Sequence, residues 1–190
     1  LEALALAGAL DQLTGDHRQS RRRLVWTAGA AAQSTPGHLP GIVTGASPPP
    51  LPTPSPLEAI ADDLWAIGVT PERTAIELVR TTLARRGVVP ARTLPTWAGS
   101  GRVTVAGVVT HRQQPETAGG AVFLNLEDET GLVNVVCSRG GWVRWRSVAR
   151  TSPALVVRGR LERSDGVVNV LAERFEPLPL GPAPGSRDFR

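Results

Sequence analysis

An α+β chain with a small five-stranded β-barrel in its C-terminal half, preceded by short helices and a Pro-rich linker, is predicted by three features of the sequence. Five segments of residues 101–177 are strand-like: Arg102–Arg112, Ala121–Glu127, Leu132–Cys137, Ala154–Leu161 and Val167–Phe175. Turn residues close two hairpins between them, Glu129-Thr130-Gly131 and Ser164-Asp165-Gly166. One helical segment, about Gly141 to Arg150, separates the third strand from the fourth. Five strands with a helix after the third is the order of an OB-fold, a Greek-key barrel that commonly binds oligonucleotides.

The barrel uses about 75 of the 190 residues, so the rest must be placed separately. The expected order is a helical end of an upstream, helix–hairpin–helix-like domain (1–33), a Pro-rich linker (34–56), a helical connector (57–100), the barrel (101–177) and a C-terminal tail (178–190). All 21 basic residues are Arg, and Lys, Met and Tyr are absent. With abundant Ala, Gly, Pro and Val, that bias reflects a GC-rich genome. The net charge of +4 therefore permits nucleic-acid binding without demonstrating it. One cysteine, Cys137, excludes an internal disulfide and a Cys-rich zinc site, and fits a reduced, cytoplasmic protein. No apolar run approaches the roughly 18–20 residues of a membrane span, and no signal peptide stands out, so no membrane partner is expected. The chain starts at Leu1, inside an apolar periodic stretch, and is read as part of a longer polypeptide.

Leu1 to Leu10 has helix-forming composition, and Asp11 to Asp16 reads as a turn. Ser20 can cap a second helix running through Arg21-Arg22-Arg23 to Gln33. Two readings are open for this pair: a phosphate-contacting helical hairpin, or a helical edge with a solvated Arg run. Ser34 to Pro56 holds eight prolines and reads as a linker. Ser55-Pro56-Leu57-Glu58 carries the signature of a capping box with Pro at the first helical position. Leu57, Ile60, Ala61, Leu64 and Ile67 then follow at helical spacing, up to Gly68. Asp62 and Asp63 are adjacent, do not face each other, and read as a solvated face. A further helix is expected from Thr70-Pro71, with Ile76, Val79 and Leu83 on one side and Arg85-Arg86-Gly87 as its stop.

Within the barrel, alternation assigns faces. Val122, Leu124, Leu126, Val133, Val135, Cys137, Leu155, Val157, Val168, Val170 and Ala172 are expected inside, and Val156 and Asn169 outside. The outer face of strands two and three is where OB-folds lay single strands. The candidate nucleic-acid-binding residues are Phe123 for base stacking, Asn125 and Asn134 for base edges or sugars, and Arg112, Arg158 and Arg160 for phosphates. Phe123 packing against the preceding helices is the structural alternative. Trp142 and Trp145, three apart, are expected to plug the barrel end. Arg139, Arg144, Arg146 and Arg150 carry four charges with no acid among them, as a phosphate patch or a solvated face.

No catalytic constellation is legible. The Glu127-Asp128-Glu129 turn has no His, Ser or Lys beside it, and a solvated turn outweighs a Mg²⁺ site there. The three His, at 17, 38 and 111, are scattered. No catalytic residue, metal ligand or cofactor is expected in this chain.

Gly107-Val-Val-Thr-His-Arg112, Phe123-Leu-Asn-Leu-Glu-Asp-Glu-Thr-Gly131 and Val133-Asn-Val-Val-Cys137 closely resemble the C-terminal OB region of bacterial C-family DNA polymerases, the polymerase III alpha-subunit type. Ala61-Asp-Asp-Leu-Trp-Ala-Ile-Gly-Val-Thr70 and Ser186-Arg-Asp-Phe-Arg190 resemble its error-prone, damage-tolerant branch, and Leu1–Asp11 resembles the end of its helix–hairpin–helix region. The resemblance implies the DNA-handling part of a translesion polymerase that adds deoxynucleotides with Mg²⁺ held by palm-domain aspartates. Those aspartates have no counterpart here, so this chain alone is expected to be inactive. It further implies single-stranded template DNA as the ligand of the barrel, and a sliding clamp and accessory mutagenesis proteins as partners of the parent polymerase. Two alternatives are a stand-alone single-stranded nucleic-acid-binding OB protein and a tRNA anticodon-binding module.

Overall fold

The computed structural model describes residues 1–11, 21–32, 37, 47–71, 73–99, 101–164, 166–180 and, as backbone, 187–189. The chain divides into two compact units, Leu1–Glu72 and Arg73–Arg190. The division falls inside 57–100, which the sequence reads as a single connector. The expected Ser20 cap, the turn at 12–16, and most of the linker lie outside the described residues, as do His17 and His38.

The first unit holds α1 (Glu2–Leu6), α2 (Arg21–Ala32) and α3 (Pro56–Ile67). Ala5, Leu24 and Ala28 form its small core, with Leu10 and Val25 against them. α3 starts as its sequence dictates. Glu58 N–H donates to Ser55 Oγ at 3.3 Å, and Ser55 N–H donates to the Glu58 carboxylate at 2.7 Å. Those two bonds satisfy donors that the first helical turn otherwise leaves free. Gly68 ends the helix at φ 75°, a conformation that costs glycine nothing. Two expectations are corrected. Two arginines of the run are paired rather than free in solvent, Arg21 with Asp63 and Arg22, at the surface, with Glu58 at 2.8 Å. Asp63 is correspondingly buried rather than on a solvated face. A buried carboxylate requires a partner, and the partner is 42 residues away.

The second unit opens with α4 (Ala75–Arg85). It begins later than the expected Thr70-Pro71, because Thr74 is the residue whose side chain accepts an N–H, that of Glu77. Ile76 and Leu83 are fully buried. A 3₁₀ segment, Ala91–Thr96, then seats Ala91 and Leu94 in the barrel core.

The barrel consists of β1 (Arg102–Gln113), β2 (Val122–Asp128), β3 (Gly131–Cys137), α5 (Arg139–Thr151), β4 (Ala154–Ser164) and β5 (Val167–Pro177). β1 pairs antiparallel with β2 on one side and with β4 on the other. β2–β3 and β4–β5 are antiparallel, and a parallel β3–β5 pairing completes the closure. A short β6 (Arg187–Phe189), in the stretch expected to be a tail, runs parallel to β1. The twelve-residue β1 must bend to serve both sides. At Gly107 an added Cβ would lie 2.7 Å from the Glu127 carbonyl oxygen, so only glycine fits the close crossing. A Cβ added at Gly159, opposite the bulge at Glu173 of β5, would lie still closer to the Leu171 carbonyl oxygen, at 2.3 Å.

The residues assigned inward fill the interior, joined by Phe175. Val156 points out of the barrel, as assigned, yet is buried, 4% exposed. It lines a cleft with Val88, the residue that bridges to Thr104 just after α4. α5 closes one barrel end, with Trp142 and Trp145 packed on the core and Trp145 Nε1–H donating to Glu173 O at 3.2 Å. Among the described residues no helix is long and apolar enough to cross a membrane.

Candidate nucleic-acid interface

Phe123, Asn125 and Asn134 come together on the outer face of β2 and β3. Asn125 stands directly opposite Asn134, and its side-chain N–H donates to Asn134 Oδ1 at 3.4 Å. Asn134 in turn faces Asn169 across the parallel β3–β5 pair, and its amide donates to Val168 O at 3.5 Å. A row of three asparagines therefore crosses three strands. Two residues along, about 7 Å away, a second row crosses the same strands: Phe123 opposite Val136, and Val136 opposite Leu171. All three are half-buried. Phe123 thus does not stand alone. It is the aromatic member of an apolar strip that borders a strip of amides.

The arrangement suits a flat, polar-edged ligand. Bases stack on aromatic and aliphatic surface, while the neighbouring amides offer both donors and acceptors. Arg160 is exposed and stands opposite Leu171, at the β4 end of the apolar row. Glu162 occupies the corresponding place beside Asn169, and Glu127 lies opposite Leu132 beyond the asparagines. The field therefore favours phosphates near the Phe123 row and disfavours them on the far side.

Arg112 is corrected outright. A bulge between Val109 and His111 shifts the register, so Arg112 pairs with the inward-facing Leu124. It is buried, and its guanidinium donates to Ala149 O at 2.8 Å and Ser152 O at 2.6 Å. Those carbonyls end α5, where a cation also meets the negative end of the helix dipole. Arg112 therefore does not contribute to the outer face.

Arg158 is exposed but stands apart from the β2–β3 face. It faces Thr104 on β1 and Arg174 on β5. It lines a cleft of about 180 Å³ with Arg86, Arg174 and Glu176. Glu176 pairs there with Arg86 at 2.8 Å and Arg174 at 3.1 Å.

The acidic turn is also not what the sequence suggests. Asp128 is buried and accepts from Arg80 Nη2 at 3.0 Å, Ala91 N–H at 2.8 Å and Thr130 N–H at 2.7 Å. Glu129 accepts from Arg80 Nε at 2.5 Å and Nη2 at 2.7 Å. Burial opposes the charge on Arg80, but the hydrogen bonds and fields of Glu129 and Asp128 outweigh it and hold the guanidinium protonated. Two of the three carboxylates are thus committed to Arg80 and backbone. Among the described residues no group of three His, Cys, Asp or Glu could hold a metal ion. Cys137 is buried, and that burial pushes its thiol up to about 11.

Val136, Leu171 and Asn169 are the residues that reasoning from sequence left out of the site. Alternation already pointed them outward; what it lacked was the parallel β3–β5 pairing that lines them up with Phe123 and Asn125.

Comparison with known proteins agrees with the fold. Residues 103–178 match the tRNA anti-codon family, described as an OB-fold nucleic acid binding domain. The whole chain is 48% identical over 193 residues to an error-prone DNA polymerase of Nocardia farcinica, of which it covers 17%. It is 51% identical over 191 residues to one of Cutibacterium acnes, again with all of this chain and 16% of that protein. The chain thus spans about one-sixth of the length of the curated relatives it matches. Among solved structures, an asparaginyl-tRNA synthetase from Pyrococcus horikoshii aligns with TM-score 0.39 and 23% identity, over 47% of this chain and 22% of that one.

Proposed function

Because this chain matches, end to end, the C-terminal OB region of error-prone DNA polymerases, we propose that it handles single-stranded template DNA for such a polymerase. The observation that carries the reading is the pair of adjacent rows on β2, β3 and β5, apolar Phe123–Val136–Leu171 beside amide Asn125–Asn134–Asn169. Phe123 stacks a base, the asparagines engage base edges or sugars, and Arg160 neutralises a phosphate at the end of the strip. Nucleotide addition, and the Mg²⁺ it uses, belong in this reading to the parent polymerase. So do damage bypass during replication and repair, its cytoplasmic setting, the sliding clamp and the accessory mutagenesis proteins.

The test is fluorescence anisotropy of the 190-residue chain with a labelled oligothymidine across a salt series. Phe123→Ala is expected to weaken binding by about 1–3 kcal/mol at every salt concentration. Arg160→Gln is expected to flatten the log–log salt slope by about 0.7. Duplex DNA, with its bases already stacked, is expected to bind more weakly. If both variants fold and bind like the parent chain, this face is not the site. The family description favours a second reading, an RNA-binding barrel; preference for an oligouridine over the matched oligothymidine is its signature.

A further inference from the structure

α5 carries Arg139, Val143, Arg146 and Arg150, spaced four, seven and eleven residues from the first. At 100° per residue these four fall within about 60° of one another and form one stripe along the helix. All four are exposed, and Val143, at 77%, is the most exposed large apolar residue among those described. The three arginines have no hydrogen-bond or ion-pair partner among the described residues. No acid occupies the first turn of α5, where the helix dipole would favour one. The helix is well formed nonetheless, capped by Ser138 Oγ accepting from Gly141 N–H at 3.2 Å.

The stripe begins beside the base platform. An added Cβ at Gly120 would sit 3.2 Å from the Arg139 side-chain stem, so that stem passes over the chain three residues before Phe123. Arg139 also follows Val136, the next member of the apolar row, by three residues. From there the arginines are spaced along the helix axis by about 10 Å and then about 6 Å. A strand leaving the Phe123 row on its cationic side would meet them in turn.

We propose that α5 extends the interface: Arg139, Arg146 and Arg150 take successive backbone phosphates of the single strand whose bases lie on Phe123, and Val143 contacts its sugars or bases. This rests on the reading of the β2–β3 face above, and adds to it a direction of travel and a longer footprint.

The test measures anisotropy with labelled oligothymidines of increasing length, each titrated against salt, for the 190-residue chain and two variants. The triple variant Arg139→Gln, Arg146→Gln, Arg150→Gln is expected to lose about 2 from the log–log salt slope, roughly 0.7 for each phosphate contact. It is also expected to lose the affinity that the parent chain gains as the oligonucleotide grows beyond the platform. Phe123→Ala is expected to weaken binding at every length while keeping the slope. Unchanged slope and length dependence in a triple variant with parent-like circular dichroism and thermal unfolding would overturn the proposal. So would a triple variant impaired only in binding poly-glutamate, which would mark an acidic protein partner instead. A silent Phe123→Ala beside a flattened triple variant would leave the stripe as a phosphate site and remove the platform.

Discussion

Arg80 of α4 reaches across to the β2–β3 turn and donates to the buried Asp128 carboxylate at 3.0 Å. The same carboxylate holds Ala91 N–H, so one aspartate fixes both α4 and the 3₁₀ segment that leads into β1. The contact holds α4 and the 3₁₀ segment against the barrel without adding to the binding face.

Arg80→Met should therefore cost about 3–5 kcal/mol, because it leaves a buried carboxylate without its cation. Urea unfolding followed by tryptophan fluorescence measures it. A loss below about 1 kcal/mol would mean that Ala91 and Thr130 suffice to satisfy Asp128.

Arg112→Met should lower stability by about 1–3 kcal/mol, through carbonyls at the end of α5 left without donors. The salt slope of oligonucleotide binding should stay unchanged. A drop of about 0.7 in that slope would return Arg112 to the interface.

Cys137 should be unreactive towards a thiol reagent at pH 8 in the folded chain and react fully in denaturant. Its folded value, pushed up to about 11 by burial, lies above that of a free thiol. The neutral thiol therefore contributes stability fully below the free-thiol value, and that contribution fades as pH rises through about 11. Fast labelling under native conditions at pH 8 would contradict this burial.

Glu58 gives the opposite pH sign. Hydrogen bonds from the Ser55 backbone, then from Arg22, pull its carboxyl down to about 2. The capping box is thus fully effective above about 4.5 and weakens as pH falls through about 2. Circular dichroism on acid titration should show helix loss in that window, and Glu58→Gln should remove the Glu58 part of it. An identical acid profile in Glu58→Gln would show that this carboxylate does not control α3.

The local rules in the sequence were enough to place the five strands, the helix after the third, the inward residues and the capping box of α3. Each of these depends on neighbours within a few positions, through alternation, helical spacing or a side chain reaching back to its own backbone. Phe123, Asn125 and Asn134 were legible for the same reason, being outward positions of one hairpin. Tertiary structure decided what depends on distant partners. A single bulge in β1 turned Arg112 inward to close α5, Arg21 made Asp63 a buried ion, and Arg80 removed Asp128 from solvent. The parallel β3–β5 pairing set Val136, Leu171 and Asn169 beside the hairpin residues. Periodicity reports which side of an element a residue faces. Which other element covers that side depends on chain closure between residues far apart in sequence, and that is where a charged or amide side chain becomes part of a surface, a cap or a core.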